Sequence, residues 1–224
     1  MNRVILSAST DETILAVTRQ HKLVDLEIEQ QINTEIVGCI YKGVVKNIVP
    51  AVDGIFVDIG IGKNAFLRRK DLLNEKRFPT EGSPILAQVI KSDTDMKGAL
   101  ITEKISMFGK YEVTLSGTGY IGVSKKIRSE SVRERLKETG KEICAEHMGL
   151  IIRTAAENAD MDEFRKDITR LKENWDIIQK RFRMEKSPTL LYRESDIIVK
   201  ALRDYVNKGT EILITDNRKI YERI

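Results

Sequence analysis

Between Gly38 and Leu67 the chain reads GCIYKGVVKNIVPAVDGIFVDIGIGKNAFL. Apolar positions recur here with a period of two, the signature of short strands with one buried face. Ile40, Val44 and Ile48 fall on one side of the pattern, and Ile55, Val57 and Ile59 alternate with Phe56 and Asp58. Gly43, Gly54, Gly60 and Gly62 punctuate the stretch where a small barrel must bend or turn. If Ile55, Val57 and Ile59 face the barrel core, Phe56 faces outward and needs another use. Stacking on an unpaired nucleobase is one such use, worth about 1–3 kcal/mol per base. Packing into the core or under a loop is the alternative for Phe56 and for Phe66.

The rest of the chain bounds the setting. Its 224 residues suffice for one large or two to three small domains, and 41% hydrophobic content allows a sizeable core. A formal net charge of +4 suits an RNA partner only weakly. The basic clusters say more. Lys63, Arg68, Arg69 and Lys70 flank Phe66, Lys125, Lys126 and Arg128 follow later, and Lys180, Arg181 and Arg183 read as a solvated helix face. Cys39 and Cys144 stand far apart in no metal-binding spacing, which points to a reduced, cytoplasmic compartment. No apolar run approaches the ~20 residues of a membrane span, so no membrane partner is expected. The first residues are interrupted by polar side chains too early for a secretion signal.

Arg3–Ala8 and Thr13–Thr18 read as a hairpin turning at Ser9–Glu12, and Leu23–Ile28 as a third strand. Strands around Ile85–Ser92 and Gly98–Glu103 are predicted to close the barrel. Tyr111–Leu115 is strand-like, Ser131–Glu134 has the form of a capping box, and Gly140 is placed to stop the helix that follows. GLIIRT, Gly149–Thr154, reads as an apolar strand. Met161, Phe164, Ile168, Leu171, Trp175, Ile178 and Phe182 then make one apolar helical stripe, ended by Ser187-Pro188. Trp175 belongs to that stripe and reads as core. Thr189–Arg193 as a strand, a helix capped by Ser195-Asp196 and stopped near Gly209, and a buried strand Glu211–Thr215 predict a strand–helix–strand crossover.

The run YKGVVKNIVPAVDGIFVDIGIGKNAFL resembles the S-one-type RNA-binding domain, an OB-fold barrel, in the form carried by the ribonuclease E/G endoribonucleases. The order of elements resembles that family from end to end. The resemblance implies an α+β architecture in which residues 1–34 and 191–224 are parts of an incomplete ribonuclease H-like domain. Into it are inserted the barrel, residues 35–105, and a 5′-sensor α/β module, residues 106–190. Through the same resemblance Phe56, Phe66 and Lys97, in DMKGALITEKIS, are expected to contact single-stranded RNA.

Arg153 and Thr154 form a second constellation. A permanently charged planar fork beside a hydroxyl suits a terminal phosphate, with its several acceptor oxygens in a small volume. A structural ion pair plus a turn hydroxyl is the plainer alternative. GLIIRTA resembles the family segment whose arginine and threonine bind the RNA 5′-monophosphate, and Gly109 and Val113 in MFGKYEV match positions contributing backbone contacts there. Lys125, in VSKKI, stands where the family commonly has arginine. It keeps the charge and loses the bidentate geometry.

Family members cut RNA with two Mg²⁺-binding aspartates in a deoxyribonuclease I-like domain and oligomerise through zinc-linked CPxC sequences. The resemblance places both beyond Ile224, so residues 1–224 are expected to carry no catalytic residue, no magnesium and no structural zinc. Nothing in the spacing of Asp53, Asp58, Asp93 and Asp95 argues for a metal site; Asp58 reads as a barrel surface or turn residue, Asp93 and Asp95 as loop residues, and Asp216 as a poor catalytic candidate without a partner. The expected function is RNA binding with 5′-end sensing and without cleavage. A stand-alone RNA-binding regulator and, more distantly, an OB-fold that binds protein or oligosaccharide are the alternatives.

Overall fold

A computed structural model describes residues 2–9, 12–30, 36–94, 96–144, 148–193, 197–206 and 212–224. The chain divides into two compact units, Met1–Glu35 with Glu194–Ile224, and Ile36–Arg193. The first unit opens with an antiparallel meander of β1 (Asn2–Ala8), β2 (Glu12–Arg19) and β3 (Lys22–Gln30). Alternation buries Val4, Leu6, Leu15 and Val17 on one face. Gln20 and His21 join β2 to β3, both at positive φ (50° and 64°), the backbone a two-residue hairpin of matching twist requires.

In the second unit, β4 (Ile40–Val49), β5 (Gly54–Asp58), β6 (Ala65–Arg68), β7 (Pro84–Lys91) and β8 (Leu100–Thr102) close a five-strand barrel. Its order is β4-β5-β6-β8-β7, with β7 returning to β4 and only β6–β8 parallel. Ile55, Val57 and Ile59 are fully buried in the barrel core, as their period predicts. On β4 the faces are reversed: Tyr41 and Val45 join that core, and Val44 is only half-buried. A register shift after Val45 lets Ile48 pack against the same core farther along the strand. Ile40 is also buried, but in a second core outside the barrel.

A four-stranded sheet follows. β9 (Ser106–Phe108), β10 (Glu112–Ser116), β11 (Ile121–Val123) and β12 (Met148–Ile152) lie in the order β11-β12-β10-β9, with only β11–β12 parallel. Two helices, α1 (Glu130–Ile143) and α2 (Met161–Met184), supply Leu136, Phe164 and Ile168 to a core with Ile127, Leu150 and Ile152. Helix α1 departs from its predicted ends. It begins one residue before the expected box, after Ser129, whose side chain caps nothing. Gly140 lies buried inside it, where a Cβ would stand 2.9 Å from Leu150 Cδ2, so this glycine serves close packing and not termination.

Helix α2 follows its stripe closely. The Asp160 carboxylate caps it, accepting from the N–H groups of Asp162 and Glu163 at 2.8 and 3.4 Å. Its first half packs under the four-stranded sheet. Its second half joins the other core, where Leu171 and Ile178 meet Ile40, Ile105, Met107 and Leu191, with Trp175 packed alongside. The Lys42 ammonium reaches from β4 to the last carbonyls of the helix, donating to Phe182 O at 2.7 Å and Glu185 O at 2.6 Å.

The expected crossover at the end of the chain does not form. β13 (Thr189–Tyr192) pairs antiparallel with β4 and extends the barrel sheet. Arg181 holds it there by donating to the carbonyls of Leu190 and Leu191. After α3 (Ile197–Tyr205), β14 (Ile212–Thr215) pairs parallel with β1 of its own unit, and α4 (Arg218–Arg223) follows. Ile197, Ile198, Ala201 and Ile220 cover the apolar face of β1 and β2. β14 is an edge strand with Ile214 40% exposed, not the buried strand its sequence suggests. The predicted cap Ser195-Asp196 and stop Gly209 lie outside the described residues.

Candidate nucleic-acid interface

Phe56 on β5 and Phe66 on β6 are direct cross-strand partners, with ring centroids 5.4 Å apart and planes tilted by 51°. Both are half-buried and stand outside the barrel core. Gly54 makes room for the pair: a Cβ there would lie 2.3 Å from Cε2 and Cζ of Phe66, so the ring rests directly on the β5 backbone. Phe66 N–H donates to Ala99 O at 2.7 Å, which ties β6 to the segment just after Lys97. Lys63 Nζ donates to Thr94 O at 2.9 Å, and Gly98 abuts the Asn64 carbonyl so closely that a Cβ would fall 1.9 Å from it. These contacts lay the Lys97 loop along the Lys63–Phe66 segment. Lys97 itself is exposed. A tilted aromatic pair flanked by an exposed ammonium offers π faces and a point charge, the combination that holds single-stranded nucleic acid.

Two of the other basic residues near Phe66, Arg68 and Arg69, have structural partners. Arg68 pairs with Asp71, and Arg69 pairs with Asp53 at 3.1 Å while its guanidinium lies 4.2 Å from the Phe78 ring centroid. Asp58 accepts from Gly60 N–H at 2.9 Å and meets Lys46 at 3.4 Å, in keeping with a turn residue. Arg181, expected on a solvated face, instead fastens β13.

The second constellation converges at one end of the four-stranded sheet. Arg153 follows β12; its backbone N–H donates to Tyr111 O at 2.7 Å, and its Nη1 donates to Gly109 O at 2.9 Å. Val113 faces Ile151 across the β10–β12 ladder, half-buried. Thr154 is exposed, and its hydroxyl lies 3.1 Å from the Ser124 hydroxyl. Ser124 N–H donates to Ile152 O at 2.8 Å, which brings the exposed Lys125 to the same end. Arg133 of α1 fixes that loop by donating to the carbonyls of Ser124 (2.8 Å) and Ile127 (3.1 Å). The structure thus gathers Gly109, Val113, Lys125, Arg153 and Thr154 from three segments, with Ser124 and Arg133 as supports that the sequence did not single out.

Glu112 also escaped the sequence reading. It is fully buried on β10, and burial first, then the neighbouring Asp167, pushes its carboxyl up to about 9. Nothing in EVTLS distinguishes it from an ordinary surface glutamate. Among the described residues no three His, Cys, Asp or Glu side chains are grouped so as to hold a metal ion. No helix among them is long and apolar enough to cross a membrane.

A closed five-strand barrel with an outward aromatic pair defines an OB-fold nucleic-acid-binding domain, and residues 34–102 match the S1 RNA binding domain. Residues 106–224 match the ribonuclease E/G family, and the chain belongs to that family. It is 33% identical over 238 residues to Ribonuclease G of Escherichia coli K12, covering 99% of this chain and 49% of the relative. It is 31% identical over 238 residues to Ribonuclease G of Haemophilus influenzae, covering 99% and 48%. Ribonuclease E of Buchnera aphidicola subsp. Schizaphis graminum is 31% identical over 239 residues, with 99% of this chain and 25% of the relative covered. The chain therefore spans about half the length of the ribonuclease G relatives it matches.

Proposed function

We propose that residues 36–193 hold single-stranded RNA on the barrel and test its 5′ end at Arg153. The gathering of Arg153, Thr154, Gly109 and the Ser124–Lys125 loop at one sheet end carries the reading. Arg153 is oriented by the Gly109 carbonyl and keeps a permanent charge for a phosphate; Thr154 brings a hydroxyl and Lys125 a looser point charge. Phe56, Phe66 and Lys97 would hold nucleotides without regard to the end. The roles of the five phosphate-site residues and of the three barrel residues are part of this proposal, as are cleavage-free binding by residues 1–224 and a place within an RNA-processing nuclease.

Affinity for two single-stranded RNAs of one sequence, one 5′-monophosphorylated and one 5′-hydroxyl, tests it. Tighter binding of the phosphorylated RNA is expected, with loss of the difference in Arg153→Ala. Equal affinity of the unsubstituted protein for both ends would overturn end sensing. Incubation of either RNA with Mg²⁺ and this chain should leave it intact, and shortened products would overturn the cleavage-free reading.

A further inference from the structure

Beneath the Arg153 site two carboxyl groups meet. Glu112 on β10 and Asp167 on α2 both press on Gly109: a Cβ built there would lie 2.4 Å from Glu112 Oε1 and 2.7 Å from Asp167 Oδ2. Asp167 is occupied as an acceptor. Its Oδ2 receives the Tyr111 N–H at 3.1 Å, and its Oδ1 the Arg170 guanidinium at 2.7 Å. Glu112 is fully buried, and neither of its oxygens has a hydrogen-bond donor among the described residues. A buried carboxylate without donors is costly, and two adjacent carboxylates in low dielectric do not both stay ionised. A proton on Glu112 answers both problems, because the acid then donates to Asp167.

We propose that Glu112 is a positioning residue whose proton, shared with Asp167 beneath Gly109, keeps Arg153 placed for a terminal phosphate. The inference rests on the 5′-end reading above. The path from the pair to Arg153 is short. Gly109 N–H donates to Glu112 O at 2.8 Å, Gly109 O receives Arg153 Nη1, and Tyr111, whose N–H Asp167 holds, receives the Arg153 N–H through its own carbonyl. Losing the proton would place two negative charges against this turn and set a buried carboxylate in competition with the phosphate for the Arg153 guanidinium.

The charged surroundings favour this assignment. From α2 come Asp167 and Arg170, with Glu163 accepting from Tyr111 Oη at 2.6 Å. From the end of β12 comes Arg153, and from the end of α1 Cys144, whose thiol is pushed up by burial and then by Glu112. The two arginines pull the Glu112 carboxyl down, but burial and Asp167 outweigh them and leave it near 9.

The test compares the unsubstituted chain with Glu112→Gln, whose amide keeps a neutral donor for Asp167. Oligonucleotides of A and C only, with 5′-phosphate or 5′-hydroxyl, avoid base ionisation between pH 7 and 10, and the phosphate stays dianionic over most of that range. The ratio of the two affinities is expected to fall at least about threefold more in the unsubstituted chain than in the Gln variant between pH 8 and 10. Identical profiles would overturn the proposal. A carboxyl-¹³C titration of Glu112 in the unsubstituted chain reads the proton directly and needs no RNA. Protonation persisting above pH 7 is expected, and ionisation near the ordinary 4.5 would overturn the shared proton whether or not the 5′-end reading holds. Failure of that reading is seen separately, as an affinity ratio of one at pH 7.

Discussion

Gly54 lets the Phe66 ring rest on the β5 backbone. With a Cβ 2.3 Å from the Phe66 ring, Gly54→Ala must lift that ring from β5 and disturb its pairing with Phe56. Affinity for single-stranded RNA is expected to fall by about tenfold, within the range of one lost base stack, whatever the 5′ end. Unchanged binding by fluorescence anisotropy, in a variant that melts cooperatively, would remove the aromatic pair from the interface. At this scale the sequence was partly legible. Strict alternation exposed Phe56, because Ile55, Val57 and Ile59 left it no inward place. The same rule fails on β10, where Glu112 and Thr114 point inward while Val113 and Leu115 do not. Period two tells which residues share a face; polarity tells which face is buried only when the core is apolar, and here a carboxyl pair lies inside. Stability carries the mark of Glu112. A folded-state value raised to about 9 gives a contribution complete below the ordinary 4.5 and lost as pH rises through 9. The Gln variant should therefore gain in melting temperature over the unsubstituted chain from about pH 5 to 9 and no further. A constant difference would contradict this.

Helix α2 is the element that joins the barrel to the four-stranded sheet, and its two ends are held differently. Asp160→Ala removes an N-cap and is expected to cost about 1 kcal/mol in denaturant unfolding. Phe164→Ala, deep in the core below the Arg153 site, is expected to cost about 3–5 kcal/mol, and a cost below 1 would contradict its packing. The helix was legible because seven apolar residues at three- and four-residue steps admit one face only. The partner of β13 was not. A four-residue strand carries little register information, and β4 lies almost 150 positions earlier in the chain. Arg181 and Lys42, which fasten β13 and the end of α2 to the barrel, look like surface charges in sequence because their partners are backbone carbonyls.

Across the whole molecule the two units have different means of support. Ile36–Arg193 has a closed barrel and a two-helix layer, whereas the terminal unit leaves Leu26 and Ile28 of β3 more than half exposed. Amide exchange is expected to reach β3 and β14 well before β5 and β12, and uniform protection would contradict that order. The Asp216 carboxylate, a poor catalytic candidate in the sequence, accepts from Ser7 Oγ at 2.5 Å and Ala8 N–H at 3.1 Å. These bonds, the Ser7 hydroxyl first, hold it below the ordinary aspartate value. A depressed folded-state value gives stability that is present above the unfolded value and lost as pH falls through the folded one. Asp216→Asn should therefore flatten the acid loss of the terminal unit below about pH 4.

One set of affinities tests the division of labour between barrel and sheet end most directly. Binding of 5′-monophosphorylated and 5′-hydroxyl RNA is measured for the unsubstituted chain, for Arg153→Ala, and for Phe56→Ala with Phe66→Ala together. Arg153→Ala is expected to weaken only the phosphorylated RNA, while the paired phenylalanine change weakens both by the same factor. A phenylalanine effect confined to one end, or an Arg153 effect equal on both, would contradict it.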